Sequence, residues 1–325
     1  MAQLRAGLVG AGGVGARHAA TLAGLGGVRL VGVTDPDADR ASALAHDHDA
    51  VAFPDLEALL MAGALDAVWL CLPPFAHGAP ERAVLEAGLP FFVEKPLAAD
   101  LATAERIAEA VTERGTLTAT GYHWRGMPGV ERAAKILADH PVRLAHASWW
   151  DKVPPVPWWL HRDRSGGQIM EQATHLLDLM RFLVGEPVTV AAHIAADPGR
   201  DPALVDTATV ATLRFDTGAV GTLSSTCLLR WKQAASLILI GDGVVVEVGE
   251  TETVIRRGEE TEVVADAGVS KERVDAEFCT AVRTGEASAV RAPYAEALRT
   301  HRVGHALDRS VRSGAVVELG VAVDG

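Results

Sequence analysis

The sequence predicts an α/β protein in two parts. The first is a parallel sheet with helices wound on both faces, and the second is an α+β domain built on a large, mostly antiparallel open sheet. Three observations carry this reading. Apolar runs of strand length alternate with helical stretches as far as residue 122. A glycine-rich turn joins the first apolar run to the first helical stretch. After residue 185 the apolar residues switch to a period of two, the mark of strands with one buried face.

The first element is the run LRAGLVG, the right length for a buried strand. Gly10, Gly12 and Gly15 follow in the spacing G-x-G-x-x-G. Gly10 allows a sharp turn out of the strand. Gly12 has no Cβ to keep a pyrophosphate off the backbone, and Gly15 lets the next helix pack close to the strand. Val14, Ala19, Leu22 and Leu25 share one face of that helix. Its free N–H groups and positive dipole end would face phosphates. A second apolar run ends in Asp35, twenty residues past Gly15, where a carboxylate accepts hydrogen bonds from an adenosine ribose. The motif alone is weak in a chain with 32 glycines; its place between two strands, with an acid at that distance, makes it specific. Gly10, Gly12, Gly13, Val14, Gly15 and Asp35 are therefore predicted to hold a dinucleotide on a doubly wound Rossmann sheet. Asp35 favours NAD, because a carboxylate repels a 2′-phosphate. NADP stays open, because Arg40 is near enough in sequence to reach one.

At 325 residues and 49% hydrophobic, the chain has material for a sizeable core and, by length, two domains. A net charge of −12 argues against nucleic acid or an anionic membrane as partner, but not against an anionic small substrate. Cys71, Cys227 and Cys279 are far apart and odd in number, so reduced buried thiols are expected, not a disulfide framework or a thiolate metal site. That suits a reducing cytosol. With no basic lead-in before the first strand and no apolar run near the roughly 20 residues that span a bilayer, a cytoplasmic protein is expected.

In chain order, residues 36–50 read as a helix entered after Pro36, and 55–62 as a short amphipathic helix capped by Asp55. Residues 66–74 make the third strand, stopped by Pro73 and Pro74. A helix over 75–88 ends at Gly88, 89–96 is the fourth strand, 97–115 a long helix and 116–122 the fifth strand. Ligands of such sheets bind beyond the carboxyl ends of the strands, where Gly10, Asp35, Pro73, Glu94 and Tyr122 fall. This places a nucleotide-binding domain over 1–122 and a substrate-binding and oligomerisation domain over 123–325. The second opens with a helix (127–140), a strand (142–152) and a proline-rich loop, then a long helix (166–185) ended by Gly185. Strands of period two follow, several joined by short turns such as Asp216-Thr217-Gly218 and Asp242-Gly243. The acid-rich stretch 247–266 reads as charged edge strands, not a metal site. Helices near 270–284 and 294–313 close the chain. Strands between Val188 and Ile240 carry apolar residues on both sides, so the sheet face without helices is expected to join a homodimer or homotetramer.

Glu94-Lys95-Pro96 at the end of the fourth strand, followed far downstream by Gly166-Gly167 and by Glu171, His175 and Asp178 on one helix, resembles the Gfo/Idh/MocA oxidoreductases. The resemblance covers essentially the whole chain. It implies NAD(P)-dependent hydride transfer between a nicotinamide and a secondary alcohol or carbonyl of a sugar, inositol or related polyol. It also implies Lys95, His175 and Glu171 beside the substrate, no metal, and a cis peptide before Pro96. Glu171 stands where the family usually has Asp, a longer side chain that shifts the substrate hydroxyl or holds His175 less tightly.

The residues make chemical sense on their own. Oxidising an alcohol needs a proton acceptor within hydrogen-bond reach of the hydroxyl. The Lys95 ammonium would stabilise a developing alkoxide, and partial burial lowers the pKa of such an amine. His175 can exchange a proton near neutral pH, and Glu171 shares its helix face. Glu94 would hold cofactor or backbone groups. His77 follows Pro73 and Pro74, where the family often has a histidine near the cofactor; capping the next helix is the other reading. Five tryptophans (Trp124, Trp149, Trp150, Trp158, Trp159) lie with Tyr122, His123 and Arg125 between the first domain and the 166–185 helix. Indole walls with a few polar groups suit the apolar C–H faces of a sugar, packing being the alternative for each. Tyr122, Trp124, Arg125, Trp150, Trp159 and Arg162 are thus expected at the substrate. Two rivals remain: hydride transfer on a diol or imine by the same family, and a non-catalytic sensor that only binds the nucleotide.

Overall fold

Strands and helices alternate along the first part of the chain in the computed structural model, which describes residues 3–62 and 65–320. They are β1 (Leu4–Val9), α1 (Gly13–Gly24), β2 (Val28–Thr34), α2 (Ala38–Asp47), β3 (Val51–Phe53), α3 (Leu56–Met61), β4 (Ala67–Leu70), α4 (Ala79–Glu86), β5 (Phe91–Val93), α5 (Leu101–Arg114) and β6 (Thr118–Thr120). All six strands run parallel in the order β3-β2-β1-β4-β5-β6. Leu8, Val33, Trp69 and Phe92 are fully buried, as expected when helices cover both faces. The strand order reverses between β1 and β4, the place where such sheets open a crevice for ligands.

The sequence reading has five strands here and lacks β3. That strand is three residues long and exposes Val51 and Ala52, so it offers neither an apolar run nor an alternation. Only its pairing with β2, Gly32 opposite Val51, makes it a strand.

The second part contains α6 (Pro128–Asp139), β7 (Leu144–Lys152), α7 (Arg162–Ser165), α8 (Thr174–Val184), β8 (Pro187–Ile194), β9 (Ala208–Phe215), β10 (Val220–Leu229), β11 (Ala234–Gly241), β12 (Val244–Gly249), β13 (Glu252–Arg257) and β14 (Glu260–Ala265). After these come α9 (Val269–Thr284), α10 (Tyr294–Ser313) and β15 (Val317–Glu318). The nine-stranded sheet has the order β14-β13-β12-β11-β7-β10-β9-β8-β15. Its neighbours are antiparallel except β7 and β10, which are parallel. The acid-rich β13 and β14 do lie at one edge of it. Strand β15, too short to read from sequence, pairs with β8 at the other.

One face of this sheet forms a core, in which Ala147, Leu223, Leu237, Leu239 and Val246 join Val130, Ala133, Leu176, Met180 and Leu307 from the helices. The alternation of β7 sends Trp149 toward that core and leaves Trp150 exposed, where its Nε1 donates to Ser224 Oγ at 3.0 Å. The predicted 166–185 helix is broken into a left-handed Gly166 (φ +75°), a π-helical turn over Ile169–Ala173, and α8.

The chain forms two compact units that do not divide at one boundary. Residues 102–123 and 271–298 belong with those up to 98, and 99–101, 124–270 and the residues from 299 onward form the other unit. A single cut after residue 122 therefore misses the return of α9, whose Phe278 packs edge-on against Trp69 and Phe92 (ring centroids 5.2 and 6.0 Å apart). Among the described residues no helix is long and apolar enough to cross a membrane.

In the second unit α6 lies so close to β13 that a Cβ on Gly129 would fall 2.4 Å from the Cβ of Thr253. Gly129→Ala is expected to lower stability by about 1–3 kcal/mol, the usual cost of overpacking, as read from denaturant unfolding. An unchanged midpoint would mean that α6 is free to move off the sheet.

Candidate functional site

Gly10 and Gly15 are fixed by sterics. A Cβ on Gly10 (φ +97°) would lie 2.2 Å from the Cys71 carbonyl oxygen, and one on Gly15 1.9 Å from the Gly10 carbonyl oxygen. Gly12 and Gly13 differ: nothing stands within 4 Å of where their Cβ would be. The backbone there is open, and α1 begins at Gly13 without a side chain capping its N–H groups. Asp35 is buried at the end of β2. Its Oδ2 accepts from the Ala11 N–H (2.7 Å), and its Oδ1 from the Asp37 N–H (2.8 Å) and from Arg40 Nη2 (3.0 Å). An open glycine backbone, a helix end without a side-chain cap and a carboxylate at the next strand end fit the pyrophosphate and ribose of a dinucleotide. Val14 is half-exposed on the first turn of α1.

Pro73, Glu94 and Tyr122 follow the carboxyl ends of β4, β5 and β6, as the sequence placed them. Pro73 precedes a short 3₁₀ turn, Pro74–Ala76. His77 is buried with Nδ1 against Glu81 Oε1, and Glu81 Oε2 accepts the Gly78 N–H at 2.6 Å. The cap of α4 is therefore the Glu81 carboxylate on the Gly78 N–H, and His77 bonds to the side chain of that capping residue.

Glu94 and Lys95 sit in a cluster that the sequence reading did not contain. His18, on α1, is fully buried. Its Nδ1 lies 2.8 and 2.9 Å from the two oxygens of Asp275 on α9, and its Nε2 lies 2.9 Å from Glu94 Oε1. Arg17 Nη2 donates to the same Glu94 oxygen at 2.9 Å. Glu94 Oε2 accepts the Lys95 N–H at 3.2 Å, and the Lys95–Pro96 bond is cis. Burial alone would lower the His18 pKa and raise that of Glu94. The mutual pairing outweighs burial in both, so His18 is raised to about 9 and Glu94 is lowered to about 2. His123, just past β6, is pushed down to about 4 by burial, which outweighs the pull of Glu94. An Arg-His pair directly after the glycine motif was the available signal. Asp275, 257 positions away, gave none.

In the second unit His175 opens α8 beside two indoles: Trp124 (centroid 5.9 Å, 13° between planes) and Trp149 (6.2 Å, 21°). The Glu171 carboxylate accepts from Trp159 Nε1 at 2.7 Å. Arg125 is buried and forms a two-pronged pair with Asp178 (2.7 and 2.8 Å), whose Oδ1 also accepts from Thr300 Oγ1 at 2.9 Å. Arg162 pairs with Asp206 and Asp308. Of the residues expected at the substrate, the fold thus groups Trp124 with His175 and gives Trp159 to Glu171. Arg125 and Arg162 have carboxylate partners, and Trp150 lies on the opposite face of the sheet from Trp149. Tyr122 belongs to the first unit and is buried.

The His18 shift sets a pH dependence. The imidazole is raised from an ordinary 6.5 to about 9 on folding. Its contribution is fully present below pH 6.5 and is lost as pH rises through 9. The stability gap between the wild type and His18→Gln should shrink steadily over that window in thermal unfolding. A constant gap would mean that His18 is neutral in the folded protein.

The chain's similarities to known proteins lie in its family and its fold. Residues 4–122 match the family model for the GFO/IDH/MocA oxidoreductases with an NAD-binding Rossmann fold, and residues 140–247 match that for the GFO/IDH/MocA C-terminal domain. An inositol 2-dehydrogenase from Acidothermus cellulolyticus is 30% identical over 280 residues, 81% of this chain and 78% of that protein. A 2,7-anhydro-N-acetylneuraminate hydratase from Mediterraneibacter gnavus is 27% identical over 201 residues, 59% of this chain, and the chain spans about half (53%) of its length. Levoglucosan dehydrogenase, solved in complex with NADH and levoglucosan, superposes with a TM-score of 0.88 at 18% identity, over 98% of this chain and 100% of that one; this likeness is one of fold.

Proposed function

Since the chain belongs to the GFO/IDH/MocA oxidoreductases and its first unit to their NAD-binding Rossmann fold, we propose that it moves a hydride between a nicotinamide cofactor and a secondary alcohol or carbonyl of a sugar, inositol or related polyol, with Lys95 and His175 handling the proton. The observation that carries this reading is the set of strand ends in the first unit. The open glycine backbone and the ionised Glu94 beside Lys95 lie on one carboxyl edge of one sheet. Gly12, Gly13 and the start of α1 would hold the pyrophosphate, and Asp35 the ribose hydroxyls. The nicotinamide, when bound, supplies the hydride acceptor or donor. The Lys95 ammonium would stabilise the alkoxide oxygen and exchange its proton, and His175 would act as the second acid/base group. Trp124 and Trp149 would give a sugar's C–H faces an apolar wall around His175. Asp35 favours NAD. Arg40 is held on Asp35 and Asp37 and is the residue that an NADP-accepting form would need to redirect.

The test is a panel of myo-inositol, glucose and levoglucosan with NAD and NADP in parallel. Products are read by mass as well as by NADH absorbance, because one relative is named as a hydratase. Reduction of NAD in preference to NADP is expected. Lys95→Met should keep NADH binding and lose about 10²–10⁴-fold in turnover. A loss below about tenfold removes Lys95 from the chemistry, and tight binding with no turnover by any panel member favours the sensor reading.

The face of the nine-stranded sheet opposite its helical core carries Leu144, Trp150, Val210 and Val220, all exposed among threonines and serines. We infer self-association through it, as a dimer or tetramer. Light scattering at micromolar concentration is expected to show a multimer, and a monomer there rejects the interface.

A further inference from the structure

We propose that His18 is a positioning residue for Lys95: its imidazolium, anchored at Nδ1 by Asp275, holds the Glu94 carboxylate against the Lys95 backbone N–H so that the lysine is presented in one direction. The proposal deepens the reading above and rests on Lys95 being the proton-handling amine.

The geometry leaves one protonation state. A neutral imidazole has a single N–H and one lone pair. Here both ring nitrogens face carboxylate oxygens, Asp275 at 2.8 Å and Glu94 at 2.9 Å. A neutral ring donating to Asp275 would turn its Nε2 lone pair on Glu94. Arg17 Nη2, 3.2 Å from Nε2, could donate to that lone pair, but the carboxylate repulsion would remain. Only the imidazolium satisfies both oxygens. The cluster of Asp275, His18, Glu94 and Arg17 is then electrically balanced, which a buried set of charges requires.

Each side of the cluster is closed. Trp69 Nε1 donates to Asp275 Oδ1 at 2.8 Å, so the anchor is itself oriented from β4. Phe92 packs on the imidazole with ring centroids 5.0 Å apart. On the far side, a Cβ on Gly121 would come within 2.5–2.7 Å of the Glu94 carboxylate. The carboxylate is thus pressed between an imidazolium and a bare backbone, and its remaining oxygen meets the Lys95 N–H. Other ionisable groups that face the cluster are the Lys95 amine beside Glu94, His123 after β6, and the Cys71 and Cys279 thiols, whose pKa values burial pushes up.

Two substitutions separate positioning from simple packing. His18→Gln keeps an amide donor where Nε2 points at Glu94 but gives up Asp275. His18→Asn keeps a donor toward Asp275 and gives up Glu94. If His18 acts through Glu94, His18→Asn lowers kcat by at least about tenfold for the panel member that reduces NAD, while His18→Gln stays within about threefold, in line with the loss of one aligned acid–base group. NADH affinity, read by fluorescence, should change less than about twofold in either variant, since neither touches the glycine loop. Equal losses in both variants overturn the proposal. A direct arm needs no substrate: ¹⁵N NMR of the wild type should show both ring nitrogens of His18 protonated at pH 7.5, and Asp275→Asn should move the loss of the second proton to lower pH. A neutral His18 tautomer in the wild type also overturns it. If no panel member is turned over, the activity reading fails, and the NMR arm still decides the state of His18.

Discussion

The first unit is organised by two glycines whose Cβ positions are taken by neighbouring backbone carbonyls. Gly15 has no Cβ because the Gly10 carbonyl occupies its place, and Gly10 has none because Cys71 occupies the next. This chain of backbone contacts brings α1 down onto β1 and β4. With the helix seated there, its N-terminus stands at the carboxyl edge of the sheet, and its second turn carries Arg17 and His18 under the end of β5. A methyl group at Gly15 would lift the helix and separate all of these at once. The open start of α1, the Glu94 cluster and the setting of Lys95 therefore share one steric condition.

Burial and charge work against each other in both units, and the outcome is similar. In the first, a fully buried imidazolium is balanced by two carboxylates. In the second, Arg125 and Arg181 lie buried with Asp178 and Thr300, and a half-buried Glu186 extends the network. Buried ion pairs contribute little net stability against well-packed apolar side chains, because desolvation offsets the attraction. They do penalise wrong arrangements strongly, since any shift leaves a charge unpaired in a low-dielectric interior. Both networks join elements far apart in sequence: Asp275 to His18, and Thr300 to Asp178.

The legible parts were those whose signal is local. The glycine loop, the acid at the end of β2, the Glu94-Lys95-Pro96 strand end and the acid-rich edge strands each announce themselves within a few residues. What stayed hidden depends on distant partners. Strand β3 exists only through its pairing with β2. The return of α9 to the first unit is invisible because an amphipathic helix does not say which core it faces. Arg125 looked available from sequence, since nothing in its neighbourhood reveals Asp178 waiting to take its guanidinium. Trp149 and Trp150 are neighbours, yet one-residue parity on β7 decides which of them meets His175.

The same parity argument bears on Glu171. In an unbroken α-helix, residues four apart share a face, and Glu171 would sit over His175. The stretch here is a π-helical turn over Ile169–Ala173 that leads into α8. The turn is held in place by packing: a Cβ on Gly304 of α10 would come within 2.1 Å of the Met170 sulfur. In that turn the Glu171 carboxylate, one methylene longer than aspartate, accepts from the indole N–H of Trp159, which is itself fully buried. Shortening Glu171 to aspartate while keeping the turn would draw the carboxylate away from Trp159 and leave a buried donor without its acceptor, a loss of about 1–3 kcal/mol.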